Sequence, residues 1–354
     1  MSEIKEMIVD VVERMLKEHV DKDLVDSIEQ GNWAQEVWDL FEENGMTVVA
    51  IAEKNGGAGG DLDDLLNIVK LIGKYAAPIP FPEVTLANYL LEYANLKPVE
   101  ELATYRLNLN QAFILEDQKI SGEAEHVPWA RHTKRFVTFA KHQEDIHLVE
   151  VDLSKAEIIP STNLASEPRD TVKFNNVQVL QLSRILSTKD IQHMMLIQTA
   201  FQLALMTGAV EKVNDLTIQY TKEREQFGRP IHRFQLVQQY IVKLAGETAI
   251  ASAAFNNMIN ALEQDRISEV AYARIRFEEI IQEVTTGAHQ VHAAIGTTHE
   301  HCLHQYTRRL WSWRDEGENI EHWLDVVATD LLTSNESDLW SYLTGTKQVE
   351  YSKE

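Results

Sequence analysis

The sequence predicts a mainly α-helical chain with a small β domain in its middle, and three observations carry that reading. Apolar residues recur at helical spacing from residue 1 to about 104; short β-rich runs replace that pattern from about 105 to 183; helical patterns then return from 184 and run almost to residue 354. The expected organisation is therefore a helical domain over 1–104, a sheet domain over 105–183 and a second helical domain over 184–354.

The elements follow in order. MSEIKEMIVDVVERMLKEHV places Ile4, Met7, Ile8, Val11, Val12, Met15 and Leu16 at helical intervals among charges, which describes an amphipathic helix rather than a signal peptide. Helical patterning continues to about 104, broken by the glycines from Gly56 to Gly60 and by Pro78, Pro80, Pro82 and Pro98. The runs ISG, RFVTFA, IHLVEVD, EIIP and TVKFNNVQV read as strands, with polar turns such as Asn175-Asn176. STKD then offers a capping box, Ser187 as N-cap and Asp190 three residues on, ahead of an apolar helix ending near Tyr220. Pro230 is expected to open the next helix, with Phe234, Val237, Ile241 and Leu244 on one face, and a third long helix should span Ile267 to His292.

Composition narrows the function classes. With 33 Lys+Arg against 55 Asp+Glu the formal charge is −22, so the chain as a whole repels nucleic acid and anionic membranes, and any polyanion must find a local basic pocket. A single cysteine, Cys302, leaves no internal disulfide and no cysteine-rich zinc site, and fits a reducing, cytoplasmic setting. No run approaches a membrane span by this reading.

Three stretches imitate functional motifs. MTVVAIAEKNGGAGGDLDDLL reads as strand, Gly-rich loop and helix, but Leu62 stands where a dinucleotide-binding turn needs glycine. Asp61, Asp63 and Asp64 would also repel a pyrophosphate, so a tight turn is expected. The histidines His289, His292, His299, His301 and His304 lack the H-E-x-x-H pattern and are expected to be polar packing, with no metal. Trp311 and Trp313 are expected to pack in the core or at an interface.

REQFGRPIHRFQLVQ, from Arg224, sets Arg224, Arg229, His232 and Arg233 around one Phe-Gly step in an acidic chain. This stretch resembles the R-x-x-F-G…F-Q motif of the acyl-CoA dehydrogenase superfamily. QVHAAIGTTHEHCLHQYTRR, Gln290 to Arg309, is similar to that superfamily's Q-x-x-G-G-x-G…E…R segment, in the form found in bacterial members that act on bulky or steroid-like acyl-CoA and often assemble from two different subunits. NGGAGGDLDDLLNIVKLIGKYAAPIPFPE is similar to the family's N-terminal glycine turn and following helix. The resemblance implies an N-terminal helical domain, a middle β-sheet domain and a C-terminal four-helix bundle. It also implies FAD laid across a subunit interface, an acyl-CoA substrate desaturated between its α and β carbons, and an electron-transfer flavoprotein as acceptor. By the same resemblance Arg224 would meet a phosphate through its planar donor fork, Phe227 would pack on the cofactor beside Gln226, Gly228 would let the backbone turn closely, and Gln235 and Gln290 would contact the adenosine diphosphate end.

Three departures shape the expectation. Ala293-Ala294 replaces the family's Gly-Gly, adding two methyl groups where the backbone lies near the cofactor. The T-E-x-x-x-G-S-D segment that lines a flavin ring has no counterpart in residues 105 to 135. Of the two family positions for the catalytic carboxylate, one falls near Gln198 in a stretch from Ile191 to Val210 without any acid; the other falls on Glu316 in WRDEGEN, about one residue nearer Arg308 than usual. Glu316 is thus the candidate base, since α-proton abstraction needs a carboxylate in a dry pocket. Three readings share these residues: an active homo- or hetero-oligomeric FAD-dependent acyl-CoA dehydrogenase, a non-catalytic subunit lending half a flavin site to a related chain, and a flavin-free scaffold or acyl-CoA binder.

Overall fold

A computed structural model of the chain describes residues 3–262 and 266–333. The first helices are α1 (Glu3–His19), α2 (Lys22–Glu29), α3 (Gln35–Glu43), α4 (Leu62–Tyr75) and α5 (Phe81–Tyr93). Between α3 and α4 the expected strand is absent: Met46–Val48 is a short 3-10 turn entered through Gly45 in the left-handed region. The aspartates that argued against a phosphate site have a local use, because Asp61 and Asp64 form a reciprocal capping box at the start of α4.

Among the described residues the middle of the chain builds an eight-stranded sheet. Its strands are β1 (Ala103–Arg106), β2 (Phe113–Glu116), β3 (Lys119–Pro128), β4 (Arg135–His142), β5 (Asp145–Asp152), β6 (Glu157–Ile159), β7 (Arg169–Gln178) and β8 (Gln181–Leu182), in the order β6-β7-β3-β2-β4-β5-β8 with β1 parallel to β4. Asn175-Asn176 is not a turn between strands but a kink inside β7, where Asn176 takes φ 55° opposite a register shift in β3. One face of the sheet closes a core of Phe113, Phe136, Val151, Val172 and Phe174; from the other, Val137, Phe139 and Leu148 join the helical core.

The Ser187 capping box starts α6 (Thr188–Glu223), which passes through the centre of the molecule. By length and apolar composition α6 could cross a membrane, contrary to the reading from sequence; 78% of its apolar window is buried inside the protein, as befits a core helix. Its closest neighbour is α4. Gly73 and Gly208 lie where the two helices meet, and a Cβ on either would stand 2.0 Å from Leu205 O or 1.8 Å from Lys70 O. Then come a two-stranded ribbon of β9 (Glu225–Gln226) and β10 (Arg229–Pro230), α7 (Gln235–Leu262), α8 (Ile267–His292), α9 (Leu303–Asp315) and α10 (Ile320–Thr333). Pro230 ends the ribbon rather than opening a helix, and Phe234 stays outside α7 in extended conformation.

Candidate functional site

The chain leaves α6 at Arg224, whose extended backbone (φ −75°, ψ 124°) turns it into the ribbon. The ribbon reverses at Phe227 and Gly228, both left-handed at φ 52° and 76°. A phenylalanine held there is strained and 92% exposed, which neither local preference nor burial explains. The neighbouring cations have separate duties. The Arg229 guanidinium lies 4.3 Å from the Phe234 ring centroid, His232 Nδ1 is 3.2 Å from Thr221 O, and the exposed Arg224 side chain makes no hydrogen bond or ion pair among the described residues.

Across from the ribbon, α8 ends at His292. Its Nδ1 donates to Ala288 O at 2.8 Å, its ring stacks on Tyr220 at 4.4 Å, and burial pushes its pKa down to about 4, so the imidazole is neutral. His292 Nε2 is buried and has no hydrogen-bond partner among the described residues. The next residue, Ala293, takes φ 53° and ψ −140°, a backbone shape native to glycine, so the alanine keeps a glycine's turn at the cost of strain. These two walls enclose a groove of about 530 Å³ lined by Arg224, Gln226 and Phe227 on one side and His292, Ala293 and Ala294 on the other. Five of the seven residues expected to hold the cofactor therefore meet in one groove. Gln235 and Gln290 are exposed and do not line it. Tyr220, which sequence reasoning passed over, and His292, which it assigned to polar packing, also line the groove; the signal available was a histidine inside the very segment that carried the resemblance.

Glu316 follows α9 and is placed by the Gly317 turn (φ 83°). It does not present a free carboxylate. Oε1 accepts from Arg169 Nε at 2.9 Å and from Asn163 Nδ2 at 3.0 Å, while Oε2 accepts from Arg169 Nη2 at 3.0 Å. The bidentate guanidinium and Asn163 thus supply three donors to this carboxylate, two on Oε1 and one on Oε2. Arg169 also pairs with Glu167 at 3.2 Å; Glu167 accepts from Trp313 Nε1 at 3.0 Å and sits 3.3 Å from Arg309 Nε, and Arg309 reaches Glu29 at 2.9 Å. The two anions hold the buried Arg169 guanidinium above the ordinary arginine range. Glu316 thus belongs to a network joining α2, β7 and α9. At the other family position Gln198 is buried, its Oε1 without a partner.

Beside this network lies Glu83, in the first turn of α5, which sequence reasoning missed although an acid on a helix buried nearly all round must itself be buried. Desolvation pushes its pKa up from 4.5 to about 7 against the opposing pull of Arg169, and Oε2 has no partner. The space enclosed by Glu83, Glu167, Arg169, Arg309 and Trp313 is about 20 Å³, room for a water but not for an acyl group. A wider groove of about 830 Å³ runs between α6 and α10, past Leu109, Ile191, Met195 and Trp323. The tryptophans pack as expected, Trp311 stacking on His289 with its Nε1 bonded to Thr285. Asp26, His299 and His304 bring one potential metal ligand each within 4.8 Å of one another, yet Asp26 is paired with Lys22 at 2.5 Å and His304 Nδ1 meets Arg308 at 3.1 Å, cations that oppose a metal.

The family model described as acyl-CoA dehydrogenase, N-terminal domain, matches residues 2–96, and that described as acyl-CoA dehydrogenase, C-terminal domain, matches residues 190–314. The chain belongs to the acyl-CoA dehydrogenase family. Among curated relatives, acyl-CoA dehydrogenase IpdE2 of Mycolicibacterium smegmatis is 26% identical over 314 residues, 87% of this chain and 93% of IpdE2. IpdE2 of Mycobacterium tuberculosis is 26% identical over 283 residues, 78% of this chain and 80% of that protein. Among solved structures, a chain of the ChsE4-ChsE5 complex of Mycobacterium tuberculosis superposes with a TM-score of 0.83 at 16% identity, covering 95% of this chain and 99% of the compared one.

Proposed function

We propose that this chain is a subunit of a heteromeric acyl-CoA dehydrogenase, lending an FAD its diphosphate-end half-site while a related chain supplies the surroundings of the flavin ring and the catalytic base. The observation that carries this reading is the contrast between the two sites. The ribbon groove is open and holds a free guanidinium, an exposed strained Phe227 and an unpartnered His292 acceptor, features that suit an adenosine diphosphate moiety. At the base position the Glu316 carboxylate is already held by Arg169 and Asn163. A relative solved as a complex of ChsE4 with ChsE5 supports a paired assembly.

When bound, FAD supplies the hydride acceptor for desaturation of the acyl-CoA. Within this chain Arg224 neutralises diphosphate charge, Phe227 and Gln226 cover the cofactor from the ribbon, Ala293 and Ala294 bring backbone close to it, and Gln235 and Gln290 add polar contacts from the rim once the partner chain closes over them. Arg169 and Glu316 hold the sheet to the helical domain. Glu316→Gln in the assembled complex tests the division of labour. Turnover per bound flavin should match wild type, and a loss of turnover with flavin retained would restore Glu316 as the base.

A further inference from the structure

Between the sheet and the end of α9, on the open side of Glu316, lies a cavity of about 290 Å³, walled by Arg106, His126, Trp311, Ser312, Asp315 and Glu316. Arg106 ends β1 and its side chain is partly buried, yet among the described residues its guanidinium makes no hydrogen bond and no ion pair, and its Nε is buried without a partner. Burial pushes it below the ordinary arginine value, against the opposing pull of Glu316 and Glu318, neither of which reaches ion-pair distance. A second polar group in the same wall is unmatched: Ser312 is 7% exposed, and its Oγ has no partner. His126 reaches the rim from a bulge in β3, left-handed at φ 57° across the register shift between Ala124 and Val127. The remaining charges are already used. Glu316 is held by Arg169, and Asp315 accepts from Arg314 Nε at 2.8 Å.

We propose that this cavity binds a small monocarboxylate, with the Arg106 guanidinium as its anchor and Ser312 Oγ as a second donor. One unmatched positive charge calls for one negative charge, and the Nε edge of a guanidinium pairs with both oxygens of a carboxylate. A phosphate dianion would meet Asp315 and Glu316 in the same wall, while Trp311 gives the apolar end of a short acid a surface to lie on. Residues on both walls contact the ligand, so occupancy would tie the sheet domain to the α9 end of the helical domain.

The full-length chain is titrated with sodium butanoate, butanamide and inorganic phosphate at constant ionic strength, following heat and the Trp311 contribution to fluorescence. Butanoate should bind saturably, with the uncharged amide and the phosphate each weaker by about tenfold or more. Arg106→Gln should weaken butanoate by about tenfold or more, yet melt at or above the wild-type temperature without ligand, because it removes an unmatched cation. Absence of saturable butanoate binding, phosphate binding more tightly than butanoate, or wild-type affinity in Arg106→Gln would each overturn the proposal. If Arg106→Gln does not fold, Ser312→Ala serves in its place: several-fold weaker butanoate binding supports the site, and unchanged binding rejects it.

Discussion

At the residue scale, three side chains carry the account. Arg224 is solvent-facing and unpaired, so removing it leaves the fold alone; Arg224→Ala should change the melting temperature little and lower the flavin retained per complex by about tenfold or more, checked by absorbance after gel filtration. Ala293 occupies a glycine's backbone region at φ 53°, and Ala293→Gly should stabilise the chain by about 1 kcal/mol in denaturant melts while tightening flavin retention. Glu83 gives a pH signature. Its folded pKa of about 7 lies above the ordinary 4.5, so the folded state binds more protons between those values and stability falls as pH rises through that window. The stability lost is on the order of 3 kcal/mol for the fully buried group, none of it below pH 4.5 and all of it above pH 7. Glu83→Gln should flatten that slope and raise the melting temperature at pH 8 relative to wild type, an outcome read from melts across a pH series.

At the element scale, the crossing of α4 and α6 and the buried ion network fix where the sites lie. Gly208→Ala places a methyl 1.8 Å from Lys70 O, so the helices must part; a destabilisation of about 1–3 kcal/mol or more is expected in urea melts, whereas Gly246→Ala, with open space at its Cβ on α7, should be neutral or stabilising. Arg169→Met leaves the partly buried Glu316 without its cation and Glu167 with Arg309 alone, and should cost about 3 kcal/mol by the same measurement. What the sequence made legible follows from range. The α6 capping box, the α8 span and the strands from β3 to β7 rest on neighbours a few residues apart and are readable locally. The ribbon at 225–230 was not, because its reversal rests on a left-handed Phe227 that propensity disfavours. β1 was missed because its partner, β4, lies about thirty residues away, whereas β2 turns back tightly on β3 through Asp117-Gln118, a local signal the reading passed over. The Glu316 environment depends on Arg169, 147 positions distant, so sequence could nominate the carboxylate but not the guanidinium that occupies it.

At the scale of the whole molecule, the chain is an acyl-CoA dehydrogenase fold with an open groove beside Arg224 and a Glu316 carboxylate already paired with Arg169. Its formal charge of −22 sets like charge against like in a self-pair, which favours a less acidic partner. The groove by Arg224 faces outward on the ribbon, where a second chain can close over a shared cofactor. The most direct test is flavin absorbance per chain, measured on the protein purified alone and on the protein co-purified with a related acyl-CoA dehydrogenase chain. The account predicts a colourless chain alone and a yellow complex that fades when Arg224 becomes alanine. Stoichiometric flavin on the lone chain, bleached by an acyl-CoA, would contradict it.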